Sequence, residues 1–262
     1  QSRGLGDVYK RQAHMLVEAN DVCLTYHEPT AETRAIEHLS FQINLGEFVA
    51  IVGPSGCGKT SVLSLLAGLM EPSEGEIHIY DEKKPGYMLQ RDHLLDWRTI
   101  EGNIMLGLEV KHMATPENRA YALFLLDTYG LSEFRHHYPR QLSGGMRQKV
   151  ALIRTLATSP ELLLLDEPFS ALDYQTRLRV ADEIHSILRR EGKTAILVTH
   201  DISEAISMSD RVLVFSSRPA TLKHEHIIRL SGDNSPLGRR NAPEFKDYFD
   251  MIWKELDGYE KM

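Results

Sequence analysis

Four short runs constrain this chain more than any other feature of it: FVAIV (48–52), LLLLD (162–166), AILVT (195–199) and RVLVF (211–215). None alternates apolar with polar residues, so none suits a strand with one face in water. Continuous apolar runs of this length read as strands covered on both faces, as in a parallel sheet with helices on either side. A length of 262 residues allows one large α/β domain, or a core domain with an inserted subdomain. The first three runs end at Gly53, Asp166 and His200. Ligands of open parallel sheets bind at the carboxyl ends of the strands, so these three ends are expected to meet.

Elsewhere the pattern changes. DVCLTY (21–26), LSFQINL (39–45) and EGEIHIYD (74–81) alternate, which suits half-buried strands of an antiparallel sheet. TRLRVADEIHSILRREG (176–192) places Val180, Ile184, Ile187 and Leu188 on one helical face and stops at Gly192. MRQKVALIRTLAT (146–158) does the same with Met146, Val150, Ile153 and Ala157. Residues 94–141 turn helical, ENRAYALFLLDTYG (117–130) most clearly, and read as a helical subdomain inserted between two core strands.

A net charge of −7 argues against a broad electrostatic grip on nucleic acid. Cys23 and Cys57 form neither a metal-ligand nor a C-x-x-C spacing and read as reduced thiols of a cytosolic protein. No apolar run approaches the roughly 20 residues that span a bilayer. Residues 1–14 lack the apolar stretch of a signal peptide. They read as a sequencing-adaptor or cloning remnant, with Met15 the expected start.

The chemistry concentrates at the strand ends. Gly53-x-x-x-x-Gly58-Lys59-Thr60 follows FVAIV and precedes the helical TSVLSLLAGL (60–69). This is a phosphate-binding loop in strand–loop–helix context. Its glycines let backbone N–H groups curl around a phosphate chain, and the helix N-terminus adds its dipole. Lys59 supplies a point charge, and the Thr60 hydroxyl suits Mg²⁺. LLLLDEP delivers Asp166, placed to hold hydrated Mg²⁺, and Glu167, placed to take a proton from an attacking water. Gln90 follows an apolar stretch, where its amide would reach the metal and its water. His200 ends a buried run, either as a satisfied core histidine or as a donor to a γ-phosphate. A second glycine motif, LSGGMRQ (142–148), opens a helix, although each glycine costs roughly 1 kcal/mol there relative to alanine. Ser143 suits an N-cap, a role that by itself asks for no glycines.

GPSGCGKT, Gln90, LSGGMRQ, LLLLDEP, SALD and THD stand in the order and spacing of an ATP-binding cassette (ABC) ATPase, and the chain resembles that family from Met15 to about Arg218. P-loop kinases lack LSGGMRQ. Chromosome-maintenance cassettes carry long coiled coils and translation-associated ones two cassettes per chain, and neither feature is present. The resemblance implies a P-loop NTPase core with a parallel sheet, an N-terminal antiparallel β subdomain and the inserted helical subdomain, spanning 15–218. Residues 219–262 would be a C-terminal extension.

It further implies that ATP and Mg²⁺ bind, with Gly53, Pro54, Ser55, Gly56, Cys57, Gly58, Lys59, Thr60 and Ser61 around the phosphates. Thr60, Gln90 and Asp166 would hold the metal, and Glu167, His200 and Gln90 would serve catalysis. Tyr26 would stack on adenine or belong to the core of its sheet. In this family two cassettes pair head to tail, so Ser143, Gly144 and Gly145 would complete the partner's site, with Asp173 at the same interface. Cys57 would lie under the phosphates and be shielded from alkylation by ATP. The implied partners are a second cassette, a transmembrane permease and, indirectly, a substrate-binding protein, at the cytoplasmic face of the membrane.

Trp97, Leu94 and Leu95 are candidates for the permease docking face or for the core of the inserted subdomain. HLLDWRTIEGNI and the tail SSRPATLKHEHIIRL…NAPEFKDYFDMIWKEL look like the nitrate/sulfonate/taurine/bicarbonate importer group, which usually has Pro where this chain has Asp96.

Overall fold

The computed structural model describes residues 15–28, 31–81 and 84–257. Residues 1–14, expected to be an adaptor remnant, lie outside the described residues, as do 258–262. In chain order the strands are β1 (Met15–Glu28), β2 (Ala31–Asn44), β3 (Phe48–Val52), β4 (Glu74–Ile79), β5 (Gly86–Met88), β6 (Leu162–Asp166), β7 (Thr194–Val198), β8 (Arg211–Phe215) and β9 (Leu222–Ile227). The helices are α1 (Lys59–Leu66), α2 (Ile100–Val110), α3 (Pro116–Thr128), α4 (Gly144–Leu156), α5 (Tyr174–Arg190), α6 (Ile202–Met208), α7 (Pro236–Arg239) and α8 (Phe245–Asp257).

The core sheet has the order β5-β6-β7-β3-β8-β9, parallel except for β9. Its apolar runs feed two cores at once, because successive side chains of a strand point to opposite faces. Leu163 and Leu165 of β6 join the helical core with Ala195 and Leu197 of β7. Leu162 and Leu164 join the opposite core with Ile196 and Val198. The first core is closed by α2 to α6 and α8, the second by α1 and the antiparallel sheet β2-β1-β4. Burying each leucine of β6 is worth roughly 1.5–3 kcal/mol relative to exposure, which is why an alternating strand does not serve here.

β1 and β2 are longer than the alternating segments read from the sequence. Their register shifts near Asp21 and His38, whose φ angles are 51° and 46°. A bulge breaks the two-residue period, so alternation marks only the stretches on either side of it. The inserted stretch 94–141 holds α2, α3 and two short 3₁₀ turns, and both helices pack on α4. The expected boundary at residue 218 falls between β8 and β9, which are paired strands of one sheet. Beyond it α8 buries Ile252 and packs Phe245, Tyr248, Phe249 and Leu256 on the helical core. Among the described residues, no helix is long and apolar enough to cross a membrane.

Candidate functional site

The strand order sets the order of the functional groups. Across the carboxyl ends of β5, β6, β7 and β3 stand Gln90, then Asp166 and Glu167, then His200, then the loop 53–60. The three ends expected to meet do so.

Helix N-termini show where a ligand is wanted. Six successive helices, α2 to α7, are capped by Thr99, Thr115, Ser143, Asp173, Asp201 and Ser235, each accepting from a first-turn N–H. Helix α1 starts at Gly58 with no side-chain cap. Its first-turn N–H donors therefore lack the partner that those six helices have, and they carry the positive end of the helix dipole. Gly58 has φ 124°, and a Cβ there would come 3.0 Å from the Ala35 carbonyl oxygen, so glycine is required.

Lys59 is buried and folds back on the loop, its Nζ donating to the Gly53 and Pro54 carbonyls at 2.8 and 3.0 Å. The loop is thus shaped around its own ammonium group. Pro54 and Ser55 sit at the rim, and Ser61 bonds the Tyr26 hydroxyl at 2.9 Å. Tyr26 is half-buried on the antiparallel-sheet core, and its hydroxyl also reaches Met70 Sδ at 3.6 Å. The Cys57 side chain points away from solvent, 1% exposed, and burial pushes its thiol pKa up. What Cys57 offers a phosphate is backbone.

Asp166 is buried beside this loop. Thr60 Oγ1 and the Tyr87 hydroxyl each donate to it at 3.3 Å. Burial raises its pKa, against those two hydrogen bonds. A hydroxyl and a carboxylate side by side are the hard oxygen donors that Mg²⁺ takes, so the residues fit that ion.

Glu167 comes next, with φ 44°, a conformation non-glycine residues rarely adopt. Its N–H bonds the Val198 carbonyl of β7 at 2.8 Å. Its Oε2 accepts from Gln90 Nε2 at 3.3 Å and lies 3.2 Å from His200 Nδ1. The His200 side chain is 55% exposed and is no core histidine. It is aimed by its neighbours: Thr199 Oγ1 donates to the buried Glu204 at 2.7 Å, and Asp201 caps α6.

Ser143, Gly144, Gly145 and Asp173 are not brought to this cluster. They line a groove of about 490 Å³ with Met146, Thr176 and Arg179, a lining that includes no residue of 53–60. The glycine pair also has a packing reason that the sequence did not show. A Cβ on Gly145 would come 2.9 Å from Val180 Cγ2 of α5, and one on Gly144 would come 3.1 Å from Leu172 Cδ2.

Sequence reasoning missed Tyr87, Ser170 and the end of α8. Ser170 Oγ accepts from Gln90 Nε2 at 3.3 Å; it opens the SALD run, of which the sequence reading gave a role to Asp173 alone. Trp253, Leu256 and Asp257 line a second cleft, about 170 Å³, with Gly53, Pro54, Ser55 and His200. No local pattern in the tail pointed to the phosphate loop. Trp97 is 74% exposed, whereas Leu94 and Leu95 are half-buried, Leu94 against the helical core.

The ABC transporter family model matches residues 36–170. The ABC transporter ATP-binding protein YtlC of Bacillus subtilis is 46% identical over 252 residues, 94% of this chain and 97% of that protein. The nitrate import ATP-binding protein NrtD of Synechocystis sp. is 37% identical over 257 residues, again 94% of this chain and 97% of that protein. A dimeric post-hydrolysis state of the ATP-binding cassette MJ0796, bound to ADP and Pi, matches with a TM-score of 0.70 at 31% identity, covering 82% of this chain and 99% of that one. This chain belongs to the ABC transporter family, as one of its ATP-binding, ATP-hydrolysing subunits.

Proposed function

We propose that the chain drives uptake of a small solute of the nitrate, sulfonate, taurine or bicarbonate kind by pairing with a second cassette on ATP beneath a membrane permease. One observation carries the pairing, and the solute class rests on the likeness to importer ATPases such as NrtD. The groups suited to phosphate and water lie at the sheet ends, while Ser143, Gly144, Gly145 and Asp173 line a separate groove, Ser143 and Asp173 exposed to solvent. A second copy or a similar cassette, docked head to tail, would let that surface close over the partner's nucleotide.

Within the site, the backbone N–H groups of 55–61 and the Lys59 ammonium bind the phosphate chain, and Tyr26 supports the adenine. Mg²⁺, held by Thr60, Asp166 and Gln90, would neutralise charge on the β- and γ-phosphate oxygens. Glu167 takes the proton of the attacking water, and Gln90 orients that water. His200, its Nδ1 turned to Glu167, offers its other ring nitrogen to the γ-phosphate. Phosphoryl transfer needs positioning and charge stabilisation more than covalent chemistry, so these groups suffice.

Motion reaches the membrane through the stretch after Gln90. Asn103 is fully buried and ties Leu95, Arg98 and Thr99 together, which presents Trp97 on a stiff loop. Arg147 of the signature helix α4 bonds Asp92 at 3.0 Å, and Arg154 bonds the Asp92 and His93 carbonyls at 2.7 and 2.8 Å. A permease segment on Trp97 would thereby feel the position of α4, and a substrate-binding protein would act on the far side of the permease. On this reading the chain works at the cytoplasmic face of the membrane, and its net charge of −7 argues against a broad electrostatic grip on nucleic acid.

The test uses Glu167→Gln, which should lower hydrolysis by about 10²–10⁴-fold with ATP binding retained. With ATP and Mg²⁺ that variant should run as a dimer by light scattering. Adding Ser143→Arg should return it to a monomer that still binds ATP. Near-normal turnover in the first variant removes Glu167 as the base, and a dimer surviving the second removes the shared site.

A further inference from the structure

β3 carries the phosphate loop, and its neighbour β8 is the one interior strand whose carboxyl end has no part in the site as described so far. The segment leaving β8 meets the loop at three glycines in turn. Below Gly53 lies Phe215, whose Cβ would be 3.2 Å from an added Cβ. At Gly56, Arg218 Nε and Nη2 both donate to the carbonyl oxygen, at 3.1 and 2.8 Å. Below Gly58 lies Ala220, 3.4 Å from an added Cβ.

The segment is itself held. Ser216 Oγ donates to the Pro219 carbonyl at 3.0 Å and accepts from the Thr221 N–H at 2.9 Å. Ala220 N–H bonds the Ala35 carbonyl at 2.9 Å, and Glu37 N–H bonds the Ala220 carbonyl at 3.0 Å.

Gly56 has φ 72°, and a glycine there has more conformations to lose than any other residue. Its carbonyl shares a planar trans peptide with the Cys57 N–H, which closes a turn on the Pro54 carbonyl at 3.3 Å. Fixing the carbonyl therefore fixes the direction of that N–H and the shape of the turn. A guanidinium presents a rigid fork that can hold one oxygen from two nitrogens, which an ammonium does not reproduce.

We propose that Arg218 is a positioning residue for nucleotide binding: it clamps the Gly56 carbonyl so that the phosphate loop stands in its binding shape before ATP arrives. The gain is preorganisation, less freedom to be lost when the phosphates are bound. It appears in affinity and leaves the chemical step alone.

The experiment titrates ATP with Mg²⁺ into the full chain and into Arg218→Met and Arg218→Lys. Steady-state hydrolysis and hydrogen exchange of the peptide covering 53–60 are followed alongside. Arg218→Met should raise Kd and KM for ATP by about 3–10-fold, the range of an ordinary net hydrogen-bond contribution, since the Arg218 fork is exposed and acts on ATP only through the loop. Its kcat at saturation should stay within about twofold, and exchange in the loop should quicken. Arg218→Lys should recover part of each loss. Unchanged Kd and exchange in both variants overturn the proposal, as does a loss confined to kcat. Should Arg218→Met not fold, Arg218→Lys is held to the same standard: looser binding supports the clamp, and wild-type binding refutes it. The proposal rests on ATP binding at 53–60, and wild-type chain that fails to bind ATP would break that reading instead.

Discussion

Replacing Gly145 by alanine tests whether close helix contact holds the signature surface in shape. The new Cβ would stand 2.9 Å from Val180 Cγ2 and 3.1 Å from Thr176 Cγ2, inside the distances real methyl carbons adopt. Val180 cannot swing aside: it is buried, and a valine in a helix has one strongly preferred rotamer. Relief has to come from a shift of α4 against α5, and overpacking of this kind costs about 1–3 kcal/mol. Against it stands the better helix propensity of alanine, at most about 1 kcal/mol and less in a first turn. The net expectation is a loss of about 0.5–2.5 kcal/mol, the difference of those two effects. Urea unfolding of the isolated chain should show it as a lower midpoint at constant slope. Val180→Ala removes the opposing methyl, so the double variant should be less destabilised than the two singles predict, by roughly 1 kcal/mol. Equal or higher stability of Gly145→Ala, or singles that add to within about 0.5 kcal/mol, would refute the steric account. ATP binding at 53–60 should be unchanged throughout, because the two surfaces share no lining residue.

Two further outcomes follow from burial. The expected shielding of Cys57 by ATP is replaced by shielding from the fold: the residue is 1% exposed and its thiol pKa is raised, so iodoacetamide should modify it slowly with or without ATP, and quickly only after unfolding. Fast labelling of the nucleotide-free chain, read by mass spectrometry, would contradict this, and so would strong protection by ATP. Tyr87 and Tyr129 are pushed up to about 12, and Tyr121 further, first by burial and then by the carboxylates of Asp166 or Glu191. Because the folded state favours the neutral phenol, their contribution to stability is complete below pH 10 and is lost as the pH rises from 10 towards 12. Absorbance at about 295 nm should show these phenols ionising late, together with unfolding, whereas all ten tyrosines titrating near pH 10 would speak against it.

The groups we assign to phosphate and water were legible in the sequence because each lies where a buried strand gives out. Gly53, Asp166, Glu167 and His200 interrupt apolar runs, and an interruption is visible without any structure. Tyr87 was not, since a tyrosine inside a strand reads as core whether or not its hydroxyl reaches Asp166. Nor was β9: LKHEHI is a half-exposed edge strand, and its polar residues carry no period that distinguishes it from a loop. The glycine pair was legible as an anomaly, but its packing cause was hidden, because Val180 and Thr176 are remote in the chain.

Glu167 shows the deepest limit, since a backbone angle leaves no mark on composition. A non-glycine residue held at φ 44° costs on the order of 1–3 kcal/mol and persists only where its surroundings over-determine it. Here the surroundings are visible. The Glu167 N–H is taken by Val198 at 2.8 Å, and its carbonyl accepts from Ser170 N–H and Oγ at 3.2 and 3.0 Å. Those bonds hold the peptides on both sides, which leaves the side chain one direction, towards Gln90 and His200. A chain selected for stability alone would place glycine or asparagine at such a turn. A carboxylate there makes sense where its direction matters more than its cost, which is the requirement on a base that must meet a water over a phosphate.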